Sequence, residues 1–135
     1  MCLLIVKAAY QYQHEEELHG YKIFEDCGSK IEFPYQGEVA FVQDEWMNAS
    51  HSILIANDGT NYISGFHVLP TLQDAREFAK GKPWKAVIYE VTYKGLIAEG
   101  EERNPYTDNM LDVLIVDRIK IGERVESFSP YSGLE

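Results

Sequence analysis

The chain has 135 residues, 45% of them hydrophobic and 25% charged, which describes one globular domain able to bury a core and excludes a disordered tail. Twenty-two acidic residues against twelve basic ones leave a formal charge of −10, so a phosphate backbone is repelled over most of the surface and direct nucleic-acid binding is disfavoured. No run approaches the about 20 apolar residues of a membrane-spanning helix. Leu3-Leu4-Ile5-Val6 has no basic leader and stops at Lys7, and only Cys2 and Cys27 are available for a disulfide, so the expectation is a soluble, cytoplasmic protein with reduced thiols.

In chain order, Leu3 to Ala8 reads as a first strand and Gln11 to Glu17, ending in three glutamates, as a solvated loop. Gly20 to Phe24 alternates as a strand; Glu25 to Ser29 has turn chemistry and leads to a second strand, Lys30 to Phe33. Pro34 to Gly37 reads as a turn and Glu38 to Val42 as a short strand, while Asp44 to Met47 fits no single pattern. Ser52 to Ala56 and Asn61 to Val68 form a second hairpin across Asn57-Asp58-Gly59.

One helix is predicted over about residues 71–80. Thr71 and Asp74 have capping-box spacing after Pro70, Leu72, Ala75, Phe78 and Ala79 share a side, and Gly81 and Pro83 end it. Lys85 to Tyr93 reads as a central strand that turns at Lys94-Gly95 into Leu96 to Ala98. Glu99 to Asn109 reads as a polar loop, Leu111 to Ile121 as a last long strand buried on both faces, and residues 123–135 as a loosely ordered tail whose final Leu-Glu looks appended. Together these give a single α+β domain, residues 1–135, built mainly on a twisted antiparallel sheet, in one layer or two packed sheets, with one helix.

Candidate chemistry is sparse. His14, His19, His51 and His67 have no zinc-site spacing and the cysteines form no C-x-x-C, so neither a metal nor a cofactor is expected. His67, between Phe66 and Val68, reads as a packed, hydrogen-bonded histidine. Removal of Met1 would leave Cys2 with an amine of its own as base, but no donor-rich loop marks an oxyanion hole, and a merely terminal thiol is the plainer reading. Glu99, Glu101 and Glu102 place carboxylates on one stretch, where burial would split their acidities for acid/base work and exposure would make them a solvated turn. Phosphate-binding glycine loops, H-E-x-x-H and G-x-S-x-G are absent.

Gly20-Tyr21-Lys22-Ile23-Phe24, then Gly65-Phe66-His67-Val68 with the helix Leu72 to Ala79, then Tyr89 to Gly95 leading to Ala98-Glu99-Gly100, stand in an order that resembles small proteins of phages, prophages and other mobile elements. The resemblance covers roughly residues 19 to 121, is built from short structural words, and implies no defined activity. More distantly, the layout resembles the ADP-ribosyltransferase-like fold. That likeness implies His19 as a holder of nicotinamide ribose, Tyr62 or Ser64 near nicotinamide, and Glu99 or Glu101 as the acid that polarises the nucleophile. The family's Ser-Thr-Ser strand motif is absent here.

The leading expectation is therefore a non-catalytic protein-binding module, of the kind a mobile element would use to cover a basic surface on a host defence or nucleic-acid-handling protein. Its expected contacts are Glu15, Glu16, Glu17, Glu25, Asp26, Asp44, Glu45, Glu99, Glu101 and Glu102, gathered in one patch, with Trp46 and Tyr106, together with Tyr21 and Tyr35, as aromatic anchors. An NAD-binding or transferase domain is the alternative, and a scaffolding component a third. Nothing in the sequence fixes the oligomeric state, and a homodimer is compatible with it.

Overall fold

A computed structural model describes residues 3–10, 16–34, 40–50 and 52–133. The fold is mostly antiparallel sheet, 56% strand, with a single short helix contributing 7%, so the α+β expectation holds at the edge of all-β. The elements are β1 (Ile5–Ala9), β2 (Leu18–Asp26), β3 (Ile31–Glu32), β4 (Trp46–Asn48), β5 (Ile53–Ile55), β6 (Asn61–Ile63), β7 (Phe66–Val68), α1 (Leu72–Ala79), β8 (Ala86–Arg103) and β9 (Met110–Phe128).

A long β8–β9 hairpin is the spine. On the free edge of β8, β2 pairs along the first half, from Glu25 opposite Ala86 to Leu18 opposite Tyr93, and β1 pairs along the second, with Ile5 opposite Glu101 and Ala9 opposite Ala98. On the free edge of β9, β4 pairs with Arg118 to Lys120 and β7 with Leu114 to Val116. The sheet curls until Leu69, just past β7, exchanges two backbone hydrogen bonds with Tyr21 of β2 at 2.9 and 2.7 Å. β5 and β6 form a separate two-stranded sheet.

Each face of the curled sheet has its own core. Ile23, Ala86 and Ile88 meet Ala75 and Ala79 of α1, continuous with Leu3, Tyr62, Ile97, Val113 and Ile115 under the β5–β6 hairpin. The opposite face holds Phe24, Phe33, Phe66, Val68, Val87, Tyr89, Val91, Ile119 and Ile121. There the Phe24 ring meets Phe33, Phe41 and Tyr89 edge-on, with centroids 4.9, 4.9 and 5.5 Å away. The helix begins as predicted: Thr71 Oγ1 accepts Asp74 N–H at 3.1 Å and its hydroxyl donates to Asp74 Oδ2 at 2.7 Å.

Four expectations are corrected. Lys94-Gly95 is no turn: Gly95, at φ +73°, lies inside β8, where a residue without a Cβ lets the strand coil without breaking its ladder. The polar loop shrinks to residues 104–109, because Glu99 to Arg103 stay paired with Leu114 to Met110. Residues 123–128 are not a loose tail but the end of β9, where Arg124, Glu126, Ser127 and Phe128 oppose Tyr89, Ile88, Val87 and Ala86. Asn61 to Val68 divides into β6 and β7, which belong to different sheets. Of the remaining segments, residues 40–42 are not strand, and Trp46 to Asn48 form β4.

Candidate binding surface

α1 covers only the part of its sheet face around Ile23, Ala86 and Ile88. Toward β4, away from the part under the β5–β6 hairpin, the same face is open. Because cross-strand partners share a face, the register His19–Thr92, Thr92–Lys120 and Lys120–Trp46 lays one row across β2, β8, β9 and β4. A second row runs Lys94–Arg118–Asn48, with Glu17 Oε1 3.6 Å from the Lys94 ammonium. On β8 and β9 these polar residues alternate with buried Val91, Tyr93, Ile119 and Ile121, which fixes them outward.

Trp46 stands at the β4 edge of this surface. It is 36% exposed, and the ammonium groups of Lys94 and Lys120 stand 4.7 and 5.3 Å from its ring centroid, within cation–π reach. Beside the rows, His19, Gly20, Tyr21, Glu90, Val91, Thr92 and Gly122 line an open groove of about 240 Å³. His19 Nδ1 lies 3.4 Å from Thr92 Oγ1. Gly20 is required at the groove floor, since a Cβ there would sit 2.5 Å from Val68 Cγ1 and 3.0 Å from the Leu69 carbonyl oxygen. Gln43 Nε2 donates to the Gly122 carbonyl at 2.9 Å and Asp44 N–H to that of Ile121 at 2.9 Å, holding exposed Asp44 and Glu45 at the rim.

The acidic residues do not gather in one patch. Glu25 opposes the first residue of β8, whereas Glu101 lies near its last. Asp26 is spent on Lys85 and Arg124, at 3.4 and 3.8 Å, and the Gly28 N–H together with these cations holds its carboxyl below the usual range. Glu101 pairs at 2.9 Å with Lys7, which also meets Asp112 at 2.7 Å, so that hydrogen bonds to both carboxylates raise the lysine well above its ordinary value. Glu99 adds to the burial that pushes the Tyr93 hydroxyl up. Only Glu17, Asp44 and Glu45 of the expected acids border the Trp46 surface; Glu16 is exposed just before β2, and Glu15 and Tyr35 lie outside the described residues.

Glu102 leaves the surface altogether. It is buried and paired through Oε1 with Nδ1 of half-buried His67, which accounts for the packed histidine expected from the sequence. Two lysines share this interior. Lys22 donates to the His67 carbonyl at 2.8 Å beneath the Phe24 and Phe33 rings, and burial lowers it to about 8 against the opposing pull of Glu102. Lys82 sits among Phe78, Trp84 and Tyr106, 4.2, 5.9 and 5.3 Å from their centroids, and is likewise lowered to about 8 by burial. Tyr106 thus serves as a wall for Lys82 as well as an exposed ring. Neither buried cation is legible in the sequence, because Lys22 alternates with apolar residues like a solvent-facing strand position and Lys82 lies between Gly81 and Pro83 like an exposed loop residue.

The transferase-like constellation does not assemble. Tyr62 is buried in the α1-side core with its hydroxyl accepting Leu3 N–H at 2.9 Å. Glu101 is held by Lys7. Glu99 neighbours Tyr93, which faces away from the row that carries His19. Among the described residues, Glu25, Cys27 and Glu32 bring metal-type donors within 4.8 Å of one another, but Glu32 already accepts from Lys30 at 2.7 Å and from the Cys27 thiol at 3.4 Å. Cys27 is a free, exposed thiol, pushed above its ordinary value by desolvation and by its hydrogen bond to Glu32. No protein-family profile, curated protein or solved structure matches the chain.

Among the described residues no helix is long and apolar enough to cross a membrane.

Proposed function

We propose that the chain is a small protein-binding module whose working surface is the helix-free sheet face around Trp46. The observation that carries this reading is the exposed indole held by Lys94 and Lys120 at the β4 end of a four-strand row. Large aromatic side chains held in one place and left accessible are what binding hot spots are made of. Glu17, Asp44, Glu45 and Glu90 border the patch against Lys94, Arg118 and Lys120 within it, and this slight local excess of carboxylates in a molecule of charge −10 favours a partner that is basic around an apolar socket for the indole. From the resemblance of residues 19 to 121 to phage and mobile-element proteins, we extend the reading to an inhibitor that covers a basic surface of a host defence or nucleic-acid-handling protein.

The test is affinity capture from host lysate across a salt series, with wild type and Trp46→Ala side by side. The expected result is a basic protein retained at low ionic strength, released as salt rises, and lost in the variant while its melting temperature stays unchanged. Equal capture by both proteins, or none at low salt, overturns the reading.

One observation favours a second reading: the groove beside His19 is large enough for part of a small ligand. Titration with NAD tests it directly, because a ligand that binds only the folded chain raises its melting temperature. A flat response at millimolar NAD removes this alternative.

A further inference from the structure

β5 differs from every other strand in what it leaves exposed. Ile53 and Ile55 are 75% and 64% accessible, and Ile63, opposite Ile53, is 47% accessible, whereas Leu54 and Tyr62 turn inward. Such a cluster is unusual on a chain that elsewhere surrounds itself with charge. Among the described residues, β5 pairs with no strand except β6.

The hydrogen-bond phase decides where its backbone points. Ser64 N–H donates to the Ser52 carbonyl at 2.8 Å and Ala56 N–H to the Thr60 carbonyl at 2.9 Å. Bonded pairs in an antiparallel ladder recur every second residue, so Leu54 and Tyr62 form the bonded pair between them, and Ile53–Ile63 and Ile55–Asn61 are non-bonded pairs. The N–H and C=O groups of Ile53 and Ile55 therefore face the outer edge, a template for one more strand.

The sequence of the edge selects its occupant. Ser52-Ile53-Leu54-Ile55-Ala56 reads small–Ile–Leu–Ile–small in both directions and carries no charge. From these observations we infer that β5 pairs antiparallel with β5 of a second copy, about a two-fold axis at Leu54. In that register Ile53 opposes Ile55 of the other copy, and the outward groups of both are the ones that exchange hydrogen bonds. Four isoleucines and the two Ile63 side chains then line one face of a continuous four-stranded sheet. The contact is isologous and uses the β5 edge of both copies, so pairing through this edge closes at the dimer. A chain of charge −10 approaches its own copy most easily across an uncharged strand. This surface is distinct from that around Trp46, and the two readings stand or fall separately.

Sedimentation of the full chain over a concentration series, combined with amide hydrogen exchange, tests the pairing. Wild type is expected to pass from monomer to dimer as concentration rises, with Ile53 and Ile55 amides gaining at least tenfold protection over the same range. Ile53→Lys with Ile55→Lys, at two exposed positions, is expected to stay monomeric at all concentrations, with the melting curve of dilute, monomeric wild type. Ile53→Thr with Ile55→Thr, which keeps a β-branched strand, is expected to weaken dimerisation at least tenfold. A wild-type chain that remains monomeric at millimolar concentration overturns the inference, as does a dimer unaffected by the lysine pair. Protection of these amides only when an extended peptide or another protein is added also overturns it, and would give the edge to a foreign strand.

Discussion

The side-chain amide of Asn104 donates to the Lys80 carbonyl at 2.9 Å, and its Nδ2 also lies 3.1 and 3.2 Å from the carbonyls of Glu77 and Phe78. One buried asparagine in the β8–β9 loop thus caps the C-terminal end of α1, whose last carbonyls have no partner within the helix. Asn104→Ala leaves these groups buried without a donor and should destabilise the fold by about 1–3 kcal/mol. Asn104→Asp, which cannot donate, should cost at least as much in urea unfolding at neutral pH. Equal midpoints for Asn104→Ala and wild type would show that water replaces the amide without loss.

Lys22 sets a pH dependence with a definite sign. Its folded-state value, about 8, lies below the unfolded value of 10.5 because burial disfavours the charge. Between these values the unfolded chain binds more protons, so stability rises with pH from about 8 towards 10. The penalty present below pH 8 is about 3 kcal/mol. Lys82 shifts in the same direction, so Lys22→Met should remove roughly half of the rise and not all of it. Denaturant unfolding at pH 7.5 and pH 10 measures this; a wild-type chain equally stable at both would contradict it.

Truncation after Gly122 should abolish cooperative folding at 37 °C. It would strip β9 from Ala86, Val87 and Ile88, all buried, and remove Phe128 from the α1-side core. It would also break the two-pronged clasp of Glu126 by Arg76 Nε and Nη2, at 3.1 and 2.9 Å. Circular dichroism during a thermal scan would show the loss, which we expect to exceed about 4 kcal/mol.

Gly20→Ala should cost about 2–3 kcal/mol, because the new methyl meets Val68 and a backbone oxygen that has no room to retreat. Gly28→Ala is the control. Its Cβ enters open space, so only the φ of +88° opposes it, at about 1 kcal/mol. Parallel melts of the two variants separate crowding from backbone strain.

How legible was this molecule in its residues? The helix was readable because Thr71, Asp74 and Gly81 act locally, through caps and breakers that need no tertiary partner. The central run Ala86 to Tyr93 was readable for the same reason, from its alternation. Glu99 to Arg103 misled, because their charges are answered by residues distant in sequence: Lys7 from β1 for Glu101, and His67 from β7 for Glu102. Composition counted the carboxylates correctly but said nothing of their spacing in three dimensions, which follows from register along an 18-residue strand. Trp46 is legible as an anchor from its residue type, yet the lysines that hold it lie 48 and 74 residues further along the chain.

β8 is the common neighbour of β1, β2 and β9, and it comes late. On the ribosome, the segment carrying Ile5 emerges about 95 residues ahead of its partner Glu101, an interval on the order of 5–20 s at ordinary elongation speed. Throughout that wait the early strands have no sheet to join, and the apolar residues of Ile23-Phe24 stand open to chaperones and to other nascent chains. The molecule's final shape therefore hangs on a stretch translated well after the strands it must hold.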